Sequence, residues 1–240
     1  MEQSPSRPGA PAGGGGARSA APGAGGVPPP QRNLEVATAA ALSALRRQAP
    51  DQLSWLGARL DGERWALAVL DGVLSIDLSD GAVRDADGRA VGPWWRVLAM
   101  HYLCVAARPA EEPPAVTFAD LPGGRAYASV YQQRVIQRLC RKAGKDRQTL
   151  RAAGQALGAA VERDPAEGLS DASGPPGGDL VMDFRVFPRI SFRLTWYAGD
   201  EELPPSAALL MPGNIESFLC TEDIVVLSER LVSRLEGGRF

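Results

Sequence analysis

Apolar positions recur along this chain with two different periods, and the period changes where turn residues cluster. From residue 34 to 49, Leu34, Ala37, Ala41 and Leu45 return at helical spacing. Asn33 stands in a capping position, Glu35 lies in the first turn, Arg46 and Arg47 lie in the last, and Pro50 follows as a stop. A helix is therefore expected over 34–49. The pattern then breaks into short runs between Asp61-Gly62, Asp71-Gly72, Asp80-Gly81 and Asp87-Gly88. Asp-Gly suits the positive φ of tight hairpin turns, so these runs read as an antiparallel meander. Its clearest strands are 65–70, buried, and 73–78, with Leu74, Ile76 and Leu78 on one face and Ser75 and Asp77 on the other.

Helical spacing returns after Gly92-Pro93. Residues 93–107 are apolar nearly all round, which predicts a central buried helix. Loops are expected at 108–114 and 118–124, helices over 125–143 and 146–160, and a polar loop at 163–179. Residues 189–197 alternate cleanly, Ile190, Phe192, Leu194 and Trp196 against Arg189, Ser191, Arg193 and Thr195. A turn at 199–202 and a strand at 206–211 complete a hairpin. Thr221 would cap a last amphipathic helix through Ile224, Leu227, Leu231 and Leu235, with Glu222 and Asp223 in its positive first turn. The elements make an α+β fold: a mainly antiparallel sheet, meander plus C-terminal hairpin, packed by helices.

Composition adjusts this picture at the N-terminus. Residues 1–32 hold eight glycines and seven prolines with no Leu, Ile, Phe, Tyr or Trp, so a disordered tail is expected there and a single domain over 33–240. The chain carries a net charge of −2, and the tail holds three arginines against one acid, so the folded part is the more acidic. That balance argues against a general nucleic-acid binder. The longest apolar run, 97–107, is 11 residues even with His101 inside it, too short to span a bilayer. With no apolar export segment near the N-terminus, a soluble cytoplasmic chain is expected. Three cysteines, Cys104, Cys140 and Cys220, lie too far apart for a locally spaced metal or cluster motif. One histidine, His101, excludes a multi-histidine metal site within one chain.

Three blocks together resemble one family. They are Ile76-Asp77-Leu78 through Trp94-Trp95-Arg96-Val97-Leu98-Ala99-Met100-His101-Tyr102-Leu103, then Phe118-Ala119-Asp120-Leu121-Pro122-Gly123-Gly124-Arg125-Ala126-Tyr127, then Phe187-Pro188-Arg189 through Trp196-Tyr197-Ala198-Gly199-Asp200-Glu201-Glu202-Leu203-Pro204-Pro205-Ser206 to Leu219-Cys220-Thr221-Glu222-Asp223. Their order and spacing over about 34–236 are similar to the bacterial and archaeal domain of unknown function 3786 family. The resemblance implies a fold and no settled activity. Members occur largely in anaerobes, and some carry an added cysteine-rich iron–sulfur segment. The Gly/Pro/Ala-rich extension here holds no cysteine.

Four groups of residues are candidates for chemistry. His101, mid-helix, reads as a buried base or single metal ligand, against a plainly packed histidine; Tyr127 is a second acid/base candidate. Pro122, Gly123, Gly124 and Arg125 precede a helix, where backbone N–H groups can face an anion or small ligand; the plainer reading is a turn. Arg134, Arg138, Arg141 and Lys142, with Lys145, share one helical face, a docking stripe for an acidic protein partner or simply a solvated side. Asp200, Glu201 and Glu202, alone or with Glu222 and Asp223, could ligate a hard cation, or be a solvated hairpin tip. Cys220 beside Thr221 is the cysteine to watch. No cofactor is specified. The function expected from these readings is a non-catalytic ligand- or protein-binding accessory module, tied to redox or one-carbon metabolism if the family context transfers. The alternatives are an enzyme with a cleft near Leu121-Pro122-Gly123-Gly124, and a docking module using the basic face.

Overall fold

The computed structural model describes residues 29–109, 113–162, 179–199 and 202–240. Most of the expected tail and most of the expected 163–179 loop lie outside the described residues. Helix α1 (Pro29–Leu45) starts earlier than its sequence pattern suggests, and Asn33 lies within it rather than capping it. Pro29 and Pro30 occupy a first turn, where a missing N–H costs nothing. The same logic makes Pro50 an opener as well as a stop: it begins helix α2 (Pro50–Trp55).

The meander forms as expected, from β1 (Arg59–Asp61), β2 (Arg64–Val69), β3 (Gly72–Ile76) and β4 (Val83–Arg84), antiparallel and in that order. Trp65, Leu67, Val69, Leu74 and Ile76 all face the core. Helix α3 (Pro93–Leu103) follows and is buried over most of its length. It stops short of residue 107. The Gln48 amide donates to the Leu103 and Val105 carbonyls at 3.1 and 2.9 Å, and Gln52 donates to Val105 at 2.9 Å. Side chains thus take the carbonyls that another helical turn would have used.

Strand β5 (Ala115–Thr117) runs into a 3-10 turn at Phe118–Asp120. The helix expected over 125–143 is broken into α4 (Ala128–Tyr131), a π turn over Gln132–Ile136 and α5 (Gln137–Arg141). The wide turn keeps Tyr131, Val135, Ile136 and Leu139 all in the core across a shift of register. Helix α6 (Arg147–Ala156) is capped by Asp146, whose carboxylate accepts from the Thr149 amide at 2.7 Å.

The second sheet holds β6 (Ala160–Val161), β7 (Leu180–Phe187), β8 (Ile190–Tyr197) and β9 (Ser206–Pro212), in the antiparallel order β5-β9-β8-β7-β6. The strands therefore divide between two sheets, and β7 is an element the sequence reading passed over. Helix α7 (Thr221–Leu235) closes the fold. One buried apolar cluster joins both sheets with α1, α3 and α7. At its centre Tyr102 stacks on Phe187 with ring centroids 4.5 Å apart. Its hydroxyl donates to the Leu56 carbonyl at 2.7 Å and accepts from the Arg189 amide at 3.1 Å, so the Phe187-Pro188-Arg189 turn is pinned to the end of α2.

Candidate functional site

Neighbouring residues of α3 turn to different tasks. Tyr102 points into the core, while His101, in the last turn, reaches the start of α7. There its Nδ1 lies 2.7 Å from Oδ2 of Asp223. An ionised carboxylate only accepts, so Nδ1 carries the proton and donates it. The ring is 30 % exposed and Asp223 only 13 %. Nε2 has no partner among the described residues. The hydrogen bond to Asp223 raises the His101 pKa above 6.5, against burial, with the carboxylate charge adding to the rise. The result is a base or acid on a partly exposed ring, with one nitrogen held by Asp223 and the other without a partner among the described residues.

The Leu121-Pro122-Gly123-Gly124 loop meets the same helix end. Glu216, in the turn before α7, accepts from the Gly123 amide and from the Thr221 hydroxyl, both at 3.1 Å. A Cβ on Gly123 would overlap Thr221 Oγ1, and one on Gly124 would overlap the Phe118 carbonyl oxygen. Gly124 accepts glycine alone because backbone approaches it so closely, whereas at Gly123 the Thr221 side chain would have to shift. The Gly124 amide donates to the Leu121 carbonyl at 2.9 Å. Thus the two amides considered for an external anion are held within the chain, one of them by a resident carboxylate. Pro122, Arg125 and Tyr127 are exposed beside this junction.

Thr221 does not cap α7 with its side chain. That position falls to Cys220, and the Thr221 hydroxyl is spent on Glu216. Burial pushes the Cys220 thiol up, so it is a thiol rather than a thiolate at neutral pH. Cys104 is likewise pushed up, to about 11, by burial, and its Sγ lies 3.3 Å from the Ala41 carbonyl. Burial raises Cys140 as well, and all three thiols are free.

The basic stripe is partly neutralised within the chain. Arg134 meets Glu229 at 2.5 Å, and Arg138 holds Glu236 through Nε and Nη2 at 2.9 and 2.5 Å. The π turn sets these guanidiniums against α7. Arg141, Lys142 and Lys145 stay exposed and without partners among the described residues. Of the acidic hairpin tip, Asp200 and Glu201 lie outside the described residues, while Glu202 is exposed. Among the described residues no three His, Cys, Asp or Glu side chains gather as a metal site. No helix among them is long and apolar enough to cross a membrane.

The His101–Asp223 pair escapes a reading of local spacing because 122 residues separate its members. The only signal was indirect: a polar residue in an apolar helix, and an acid in the first turn of a late one. The family model for Domain of unknown function (DUF3786) matches residues 51–234, which include every element of this site. The chain belongs to that family. Helix α1 lies outside the DUF3786 match, whereas the resemblance in sequence was drawn from residue 34. No curated protein matches the chain, and no solved structure matches it.

Proposed function

We propose that this DUF3786 domain is an enzyme that moves a proton on a small polar substrate at Nε2 of His101. The observation that carries the reading is the 2.7 Å contact between His101 Nδ1 and Asp223, with the ring left partly open. A carboxylate on Nδ1 fixes the tautomer, makes Nε2 the proton-accepting atom and stabilises the imidazolium once the proton has arrived. Asp223 is a positioning residue in this scheme. The Gly123–Glu216–Thr221 junction holds the neighbouring loop against the start of the helix that carries Asp223.

The expectation of a non-catalytic module rests on scattered polar residues without a catalytic constellation. Asp223, arriving from α7, gives His101 an acidic neighbour that favours the enzyme reading. The test is untargeted turnover. A cell extract is incubated with the full chain, and consumed and formed compounds are read by mass spectrometry. A compound converted by the wild type, untouched by His101→Gln and converted more slowly by Asp223→Asn with a displaced pH profile supports the reading. Identical profiles for wild type and His101→Gln overturn it.

A second reading, docking to an acidic protein partner, is favoured by the unpartnered Arg141 and Lys142. Charge reversal at both positions that leaves all co-purifying partners in place removes it.

A further inference from the structure

A hollow lined by none of the residues of the His101–Asp223 pair lies on the outer face of the first sheet. Strand β2 turns Trp65, Leu67 and Val69 inward, which leaves Ala66 and Ala68 on the outer face. Outer positions of a one-sided antiparallel sheet ordinarily carry polar side chains. Here two alanines form a floor, with Leu60, Leu70 and Val73 beside them, and the depression holds about 870 Å³. Leu60 is 63 % exposed and Val73 46 %. That volume falls in the range of sites for small organic ligands.

The wall is held at a conformational cost. Leu70 sits in the hairpin between β2 and β3 with φ at +51°, the only non-glycine with positive φ among the described residues. A branched side chain in that region is strained, and such strain collects where a particular side chain is required in place. Pro188 seals one end; it packs so closely on Gly57 that no Cβ fits there.

Arg59 and Arg185 line the same hollow. Arg59 has no partner among the described residues, and Arg185 makes only a long 3.4 Å bond to the Pro188 carbonyl. Two poorly satisfied guanidiniums beside an apolar floor match one kind of occupant. We infer that the outer face of β2 and β3 binds a small molecule with an apolar body and one anionic group, its body over Ala66 and Ala68 and its charge at Arg59 and Arg185. This site is separate from His101 and stands or falls apart from it.

The test uses the full chain and anilinonaphthalene sulfonate as a fluorescent probe, with decanoate and decanol as competitors. The expected result is one saturable probe site, from which decanoate displaces the probe at a concentration about tenfold below that of decanol, the worth of one favourable charge contact. Ala68→Trp fills the floor and abolishes binding. The double variant Arg59→Gln, Arg185→Gln keeps the fold, checked by its thermal midpoint, and erases the decanoate preference. Absence of saturable binding overturns the inference, as does equal competition by the alcohol or full binding in Ala68→Trp. A dimer in sedimentation that Ala68→Trp dissociates assigns the face to a second copy and also overturns it.

Discussion

Nδ1 of His101 and Oδ2 of Asp223 stand 2.7 Å apart, joining the last turn of α3 to the first turn of α7. The pair is both a clamp between two helices and the means by which the chain's one histidine is oriented. Because the imidazole is in the last turn of α3, the negative end of that helix also favours its charged form.

A pH signature follows from the raised His101 pKa. The clamp's stabilisation is complete below the unfolded value of 6.5 and is lost as pH rises through the folded value. Chemical denaturation of wild type and Asp223→Asn should differ by about 1–2 kcal/mol near pH 5.5, and by progressively less as pH rises through the raised folded value. A gap that widens with pH contradicts the assignment.

The two glycines of the loop should respond unequally to alanine. At Gly124 the new methyl meets the Phe118 carbonyl, which is backbone and cannot swing away. At Gly123 it meets the Thr221 hydroxyl, which can rotate at the expense of its bond to Glu216. Gly124→Ala should cost about 3 kcal/mol or more and Gly123→Ala about 1 kcal/mol, read from urea midpoints.

The basic stripe should separate into structural and free members. Arg138 is engaged twice by Glu236, whereas Arg141 is free among the described residues. Arg138→Ala should lower stability by about 1 kcal/mol, and Arg141→Ala should stay within about 0.5 kcal/mol. Equal effects would show that the pairing with α7 contributes nothing in solution.

Local pattern carried much of the fold and little of the site. The Asp-Gly turns and the alternation of Ile190, Phe192, Leu194 and Trp196 are interactions of near neighbours, and the strands follow them. Strand β7 alternates just as well, through Leu180, Met182, Phe184 and Val186, but it starts directly after the polar 163–179 stretch, and the local reading gives it no element. The end of α3 depended on glutamines 48 and 52, and the break in the helix after Tyr131 on packing against α7; neither leaves a local mark. The site was legible only as fragments. His101, Gly123, Thr221 and Asp223 were each notable, but what joins them is tertiary contact through Glu216 and the His101–Asp223 bond.

The most direct measurement is the tautomer and titration of His101 by nitrogen-15 NMR, free of overlap because the chain has a single histidine. The dyad predicts a proton on Nδ1 and a bare Nε2 in the neutral ring, with a pKa above 6.5 that falls in Asp223→Asn. A neutral ring protonated on Nε2, or a titration unmoved by Asp223→Asn, would contradict it.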